Sequence, residues 1–241
     1  MSRFFILLFV LFVLFVLFVP ATFAGVMPAM TRVIYPPNAR EKTLMLVNTN
    51  AWPVIVQTWA DNGEGSPDNS TAPFVILPPV FRLAPGSTQG LRIIYNHDPL
   101  PTDRESVFWL NVYEVPPDSA GLEKSFLKLA MNTQLKIFYR PQTLTLTPEE
   151  AIGKLTFRLY AEGENSWLEF NNPTPLGISF TTISVTGRSG QTKAYQQDDM
   201  MIKPFSQRRY LLERNVGSEA INVEAGWIND SGEILKHRFM K

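Results

Sequence analysis

The most informative stretch of this chain is SFLKLAMNTQLKIFYRP, at positions 125–141. Within it Leu127, Leu129 and Met131 alternate with a lysine, an alanine and an asparagine, so three apolar side chains share one face of an extended strand. Some apolar residues of the stretch are also spaced at helical intervals, which leaves a helix as the alternative. The β-branched and aromatic residues near its end, and the closing Pro141, favour the strand. On the pattern alone, the simplest interpretation is a core strand of a β-sandwich.

The first 24 residues have the form of a secretory signal peptide. Arg3 provides a basic start, an unbroken apolar run follows at positions 4–19, and the small residue Ala24 marks a cleavage site. A retained membrane anchor is the alternative, but the run is shorter than the about 20 apolar residues that span a bilayer, and Pro20 ends it. We therefore expect a cleaved signal at 1–24 and a secreted mature chain of 217 residues (241 − 24).

Composition excludes several classes of function. Without Arg3 the mature chain has 21 basic residues (22 − 1) against 22 acidic residues, a formal charge of −1. Such a chain has no overall basic field for nucleic acid and no polybasic patch for a membrane, so we expect no nucleic-acid partner and no membrane insertion after signal cleavage. The absence of cysteine removes disulfides and thiolate metal sites. The domains must then be held by burial, and we expect well-packed cores.

Short extended runs separated by turn signals fill the chain from position 30 to 144. Prolines and clusters of Asn, Asp and Gly end the runs, and no amphipathic helix of 10–15 residues separates them, which favours an antiparallel sandwich over a parallel α/β sheet. A tight turn is predicted at 82–86. The predicted strands before the opening stretch are 31–35, 42–47, 54–59, 74–77, 89–95 and 107–115.

A second, looser series of strands follows Pro141. The segment 142–151, with one proline and two glutamates, is the predicted boundary, which gives an N-terminal domain at 25–145 and a C-terminal domain at 146–241. The sequence therefore predicts an all-β fold of two sandwich domains of about 100 residues each. The predicted strands of the second series are 154–161, 166–171, 177–185, 209–212 and 220–228.

Several separated motifs recur together, in the same order, in one known family. Through them the mature chain resembles the PapD-like periplasmic chaperones of the chaperone–usher pathway. The resemblance implies two immunoglobulin-like β-sandwich domains arranged as an L with a cleft between them. The motifs are Thr31-Arg32-Val33-Ile34-Tyr35, Pro78-Pro79-x-x-Arg82-Leu83-x-Pro85-Gly86, Arg104-Glu105-Ser106-x-Phe108-Trp109-Leu110-Asn111 with Glu114-x-Pro116-Pro117, Lys136-x-Phe138-Tyr139-Arg140-Pro141, and Ile228-Asn229-Asp230-x-Gly232.

The resemblance assigns Arg32 and Lys136 to the cleft, where the family's two basic residues hold the C-terminal carboxylate of a pilus subunit. These residue types suit that ligand, because a guanidinium bonds a carboxylate through two parallel donors and an ammonium adds a point charge. Taken singly, each residue is better explained as a surface charge at a strand end. Their occurrence in two motifs of one family reverses that preference.

The resemblance also makes the opening stretch a donor strand. Pilus subunits of this pathway lack the last strand of an immunoglobulin fold, and the chaperone strand pairs with the open edge while Leu127, Leu129 and Met131 fill the groove. The alternation fits equally well if these side chains pack on the chain's own core, so the sequence alone leaves both open. The connection from Pro117 to Leu127 is short and lacks cysteine, which resembles the short-loop subfamily that commonly serves rod-like pili.

Glu105, Arg140 and Asp230 match family positions that form an ion-pair cluster between the domains and fix their angle. Three unrelated surface charges are the alternative explanation. Because exposed ion pairs contribute less than about 1 kcal/mol, such a cluster affects orientation more than stability. Trp59 and Phe108 are predicted to be core residues.

An enzyme is not expected, and neither a cofactor nor a metal is predicted. His97 and His237 are the only histidines, which is too few for a multi-histidine metal site. A catalytic triad that uses histidine is also not favoured, because these two residues are at turn-like and terminal positions. The chain also lacks a glycine-rich phosphate loop.

The resemblance implies a periplasmic, ATP-independent chaperone that captures pilus or fimbrial subunits by donor-strand complementation and delivers them to an outer-membrane usher. A secreted two-domain immunoglobulin-like adhesin or structural fibre subunit is the alternative, although such a subunit usually has an N-terminal donor extension and no paired basic cleft. A secreted hydrolase is a third and weaker class. The sequence leaves open whether the free protein self-associates weakly through its exposed strand.

Overall fold

The computed structural model describes residues 25–68, 70–115, 130–187, 190–216 and 220–239. Within these residues the chain folds almost entirely into β-strands, whose four sheets enclose two separate apolar cores. The predicted signal peptide at 1–24 lies outside the described residues. So do Leu127, Leu129 and the short connection that precedes them.

Among the described residues, the first sandwich contains nine strands in two sheets. The strands are β1 (Val26–Pro28), β2 (Arg32–Tyr35), β3 (Lys42–Asn48), β4 (Val54–Asp61), β5 (Phe74–Leu77), β6 (Val80–Leu83), β7 (Thr88–Tyr95), β8 (Ser106–Val115) and β9 (Met131–Tyr139). One sheet has the order β1-β3-β7-β5, and the other has the order β2-β9-β8-β4-β6. The β2–β9 pair is parallel, whereas the other described pairs of this sandwich are antiparallel.

The described part of the second sandwich contains eight strands and is preceded by one short helix. These elements are α1 (Pro148–Ile152), β10 (Thr156–Glu162), β11 (Asn165–Asn172), β12 (Ile178–Gly187), β13 (Gly190–Lys193), β14 (Met201–Ile202), β15 (Ser206–Leu211), β16 (Ala220–Ile228) and β17 (Ile234–Phe239). The two sheets have the orders β10-β11-β15 and β13-β12-β16-β17, and β14 pairs with β12. A capping box between Thr147 and Glu150 begins α1, because each side chain bonds the backbone N–H of the other residue.

Alternation of apolar and polar residues explains which face of each strand is buried. In β3, Leu44 and Leu46 point into the first core while Met45 between them is exposed. In β11, Leu168 and Phe170 do the same in the second core. Each core is filled by side chains from both of its sheets, as the predicted pair of β-sandwiches requires.

Strand β9 changes its surroundings halfway along its length. It pairs with β8 over all nine residues, but β2 pairs only with the last four, from Lys136 to Tyr139. Met131, at the start of β9, is 46% exposed, whereas Leu135 on the same face is 3% exposed. The first half of β9 therefore presents an edge that no strand covers within the described part of the chain.

Several sequence predictions were wrong in detail. Arg82 and Leu83 belong to β6 rather than to the predicted turn at 82–86. The sequence also missed β1, β13, β14, β17 and α1, whose short or polar segments give little periodic signal. Phe108 lies in the first core as predicted, but Trp59 does not. Its ring lies half-buried near Tyr113, and its indole N–H donates to Asp61 at 3.1 Å.

Candidate functional site

The parallel pairing of β2 with β9 places Arg32 directly opposite Lys136. Val33 and Tyr35 point into the first core, so Arg32 points to the other face of its sheet. Lys136 lies on that face for the same reason, since its neighbour Ile137 is buried in the core. The two predicted cationic residues thus meet on the sheet face that is turned toward the second sandwich.

Both residues line a cleft between the two sandwiches. The first sandwich also contributes Trp109 and Gln134, and the second contributes the segment 196–200 and Ile228. The cleft is therefore formed by β2, β8 and β9 on one side, and by the start of β12 (179–181), the end of β16 and the loop before β14 on the other.

Arg32 is almost completely buried, with 8% of its surface exposed. Its Nη1 donates to the carbonyl oxygen of Ile228 at 3.0 Å, and its guanidinium carbon lies 5.5 Å from the centre of the Phe138 ring. Burial lowers the pKa of Arg32, although Asp230 and Glu105 oppose that shift. The buried Nε of Arg32 and the buried Oγ of Ser179, which both belong to cleft residues, have no hydrogen-bond partner among the described residues.

Lys136 is paired with a carboxylate of the second sandwich. Its Nζ donates to Oδ1 of Asp199 at 2.6 Å and lies 6.0 Å from the centre of the Trp109 ring. Both side chains of the ion pair are largely buried, with 20% and 28% of their surfaces exposed. The cleft therefore holds one cation without a charged partner within 4 Å among the described residues, Arg32, and one cation already paired, Lys136.

The structure brings together the three charged residues of the predicted cluster, Glu105, Arg140 and Asp230. The Nε of Arg140 donates to Oε1 of Glu105 at 2.6 Å, and its Nη2 donates to Oδ1 of Asp230 at 2.8 Å. Glu105 also accepts a hydrogen bond from the backbone N–H of Gly177 at 2.8 Å, and its own N–H donates to the carbonyl of Pro175 at 2.9 Å. The cluster thus joins the first sandwich to two separate loops of the second.

Burial and charge act against each other in this cluster. Burial raises the pKa of Glu105, whereas Arg140 and the N–H of Gly177 act to lower it. Burial acts to lower the pKa of Arg140, but Asp230 and Glu105 outweigh it and raise that pKa. Because ionised Glu105 is costly to bury, the cluster is better suited to fixing a geometry than to adding stability.

Sequence reasoning missed Asp199, Ser179 and the carbonyl of Ile228 as parts of the cleft. No local pattern marks Asp199, since its partner Lys136 is 63 positions away in the sequence. The double acid Asp198-Asp199 ahead of an apolar run is the one signal in the sequence, and it is equally typical of an exposed turn.

The described residues contain no group of three or more His, Cys, Asp or Glu side chains arranged to hold a metal ion. The only helix in the described ranges, α1, has neither the length nor the hydrophobicity to cross a bilayer.

Comparison with known proteins identifies the family of this chain. Residues 25–145 match the family model "Pili and flagellar-assembly chaperone, PapD N-terminal domain", and residues 150–239 match "Pili assembly chaperone PapD, C-terminal domain". The chaperone protein FimB/FhaD of Bordetella pertussis is 37% identical over 227 residues, which cover 91% of this chain and 89% of that protein.

Two solved structures have the same two-domain fold. The YadV chaperone is 32% identical with a TM-score of 0.75, and the match covers 90% of this chain and 99% of that one. The SafB chaperone of Salmonella enterica, solved in complex with the SafA pilin, is 27% identical with a TM-score of 0.74, covering 92% and 99%. The predicted fold class and family are thereby confirmed. This chain belongs to the PapD-like family of pilus assembly chaperones.

Proposed function

We propose that this protein captures pilus or fimbrial subunits in the periplasm by donor-strand complementation, without ATP, and delivers them to an outer-membrane usher. The observation that carries the proposal is the position of Arg32 and Lys136. They lie side by side in the cleft between the sandwiches, at the point where the uncovered edge of β9 begins. An anion anchor and an open strand edge are thus adjacent.

In this proposal Arg32 and Lys136 bind the C-terminal carboxylate of the subunit. Arg32 offers a guanidinium whose buried Nε has no hydrogen-bond partner among the described residues. A buried donor without a partner costs about 1–3 kcal/mol, and a bound carboxylate oxygen would satisfy it. The ammonium of Lys136 adds up to three donors, of which Asp199 uses one.

The position of the proposed anchor at one end of the uncovered edge sets the direction of the captured strand. Strand β2 runs parallel to β9 and covers its edge only from Lys136 onward. A subunit strand added along 131–135 in line with β2 would also run parallel to β9, and its C-terminus would arrive at Arg32 and Lys136. Main-chain hydrogen bonds along this edge supply affinity that does not depend on the subunit's side chains.

Donor side chains supply the apolar part of the interaction. We infer that Leu127, Leu129 and Met131 fill the groove of the subunit, consistent with the exposure of Met131 on the face that carries the buried Leu135. Burying three such side chains contributes about 1.5–3 kcal/mol each, before the cost of ordering the complex. A short-loop connection before this strand stays a prediction, because it lies outside the described residues.

Other parts of the proposal follow from the same architecture. We infer that the chain divides into a signal peptide at 1–24 and domains at 25–145 and 146–241. We further infer that the Glu105–Arg140–Asp230 cluster fixes the angle between the two domains, and that the protein is not an enzyme and uses no cofactor. In a solved neighbour, the SafB chaperone is bound to a pilin, which is the kind of partner proposed here.

Copurification from the periplasm tests the proposal. A histidine-tagged pilus subunit is coexpressed with the wild-type protein, with Arg32→Ala, with Lys136→Ala and with Arg92→Ala. Arg92 is an exposed basic residue on β7 and serves as the control for loss of one positive charge. We expect one-to-one complexes with the wild type and Arg92→Ala, and loss of the complex with the two cleft variants. Normal recovery of the subunit with both cleft variants would show that Arg32 and Lys136 do not anchor the subunit.

A further inference from the structure

Asp199 is bound to the Lys136 ammonium group, which is part of the proposed carboxylate anchor. Its Oδ1 accepts from the Nζ of Lys136 at 2.6 Å and from the backbone N–H of Met201 at 2.9 Å. The carboxylate comes from the second sandwich and the ammonium from the first, so the pair spans the cleft. In charge and in hydrogen bonding, the Asp199 carboxylate does what a subunit's terminal carboxylate would do there.

Arg208 holds the backbone of Asp199 in position through hydrogen bonds. The guanidinium of Arg208 donates to the carbonyl oxygens of Asp199 and Met201 and to Oε1 of Gln197. Three acceptors on one short segment leave that segment little freedom, because a guanidinium holds its partners in a fixed planar arrangement. The backbone that carries the Asp199 carboxylate is therefore held in place by Arg208 next to Lys136.

The Lys136–Asp199 pair is one of several contacts that join the two sandwiches. Arg140 already bridges to Asp230, Glu105 bonds the N–H of Gly177, and Arg32 bonds the carbonyl of Ile228. These contacts join the same two sandwiches and do not involve Lys136. The domain arrangement therefore has support that is independent of the Lys136–Asp199 pair, whereas this pair also changes the charge that the cleft offers.

We propose that Asp199 is an internal competitor that lowers the affinity of the cleft for a subunit's terminal carboxylate. An arriving carboxylate must either displace Asp199 from Lys136 or bind beside it against like-charge repulsion. Either route weakens binding, and either route makes release easier when the subunit is passed on. The inference rests on the proposed function, because it concerns how the same anchor is regulated.

A binding measurement with a matched pair of peptides tests this inference. The probe is a fluorescein-labelled ten-residue peptide of alternating aliphatic and polar residues with a free C-terminal carboxylate, and its partner is the same peptide with a C-terminal amide. Fluorescence anisotropy gives Kd for the full-length mature protein and for Asp199→Asn. Asparagine keeps an oxygen that can accept from Met201, so the loop is conserved while the charge is lost.

Asp198→Asn is the control variant. Asp198 also lines the cleft and is exposed, but Lys136 bonds its neighbour Asp199. The Asp198→Asn variant therefore loses the same negative charge as Asp199→Asn, but at the neighbouring position. We expect Asp199→Asn to bind the carboxylate peptide about fivefold more tightly than the wild type does, which corresponds to about 1 kcal/mol for a partly buried ion pair. Asp198→Asn should change Kd by less than about twofold, and the amide peptide should not distinguish the three proteins.

The outcomes separate this inference from the proposed function. If the wild type prefers the carboxylate to the amide but Asp199→Asn binds it no more tightly, the anchor stands and the competitor role of Asp199 is overturned. Weaker binding by Asp199→Asn would overturn it too, and would make Asp199 a positioning residue for Lys136. If no protein distinguishes carboxylate from amide, the carboxylate anchor fails, and the competitor role fails with it.

Discussion

For single residues, burial determines how much stability is lost when an ion pair is broken. Arg140 faces two carboxylates with different surroundings, since the Glu105 side chain has no exposed surface whereas 39% of the Asp230 side chain is exposed. Water can solvate Asp230 if its partner is lost, but it cannot reach Glu105. The two contacts of one guanidinium should therefore differ in what their loss costs.

Replacing Arg140 by methionine should destabilise the protein by about 3–5 kcal/mol, because it leaves the ionised Glu105 buried without its cation. Asp230→Asn removes the charge of the other partner and should cost less than about 1 kcal/mol, because that carboxylate is partly exposed. Urea unfolding followed by tryptophan fluorescence measures both free energies of unfolding. Equal losses for the two variants would contradict the assignment of the cost to Glu105.

At the scale of elements, β9 is held in place by a polar network along its uncovered half. Asn111 of β8 is fully buried, and its Nδ2 donates to Oδ2 of Asp61 at 2.8 Å. Its Oδ1 accepts from Asn132 at 2.9 Å and from Gln134 at 2.8 Å. This network fixes the strand on one side, while no described strand pairs with its other edge at 131–135.

Asn111→Ala should loosen the first half of β9 and leave its second half unchanged. It removes three hydrogen bonds, two of which hold Asn132 and Gln134 of β9, and each bond contributes about 0.5–1.5 kcal/mol. Amide hydrogen exchange at 131–134 should accelerate at least about fivefold, whereas exchange at 136–139, where β2 covers the edge, should not change. Asn62→Ala, which removes an exposed asparagine next to Asp61, is the control. Uniform acceleration along β9 would show that the network does not act locally.

The alternating pattern predicted β9 from sequence because a half-buried strand must place every second side chain on one face. The parallel pairing of β2 with β9 was not predictable from either strand, since both strands show apolar patterns that also fit antiparallel neighbours. For the same reason Arg32 and Lys136 were assigned to one cleft only through the family resemblance. Trp59 was misplaced because a large aromatic residue in a strand pattern indicates burial, while its N–H needed a polar partner in Asp61.

At the scale of the whole molecule, two sandwiches are held across a cleft by contacts distant in sequence. Arg32 reaches Ile228 across 196 positions, and Arg140 reaches Asp230 across 90. No local pattern encodes such contacts, so Asp199 and Ser179 could not be identified before the fold was known. In one cleft the described residues combine a buried cation, a paired cation and a strand edge that no described strand covers. These are the elements a strand-donating chaperone requires.

Refolding of a pilus subunit without ATP tests most sharply whether the cleft cations anchor a captured subunit. A purified subunit is diluted from denaturant into buffer alone, into an equimolar amount of the wild-type protein, or into an equimolar amount of the Arg32→Ala/Lys136→Ala double variant, and the soluble subunit is measured. We expect a severalfold higher soluble yield with the wild type, in a one-to-one complex, and no increase over buffer with the double variant. Equal yields with the wild type and the double variant would contradict the central claim that the cleft cations anchor the captured subunit.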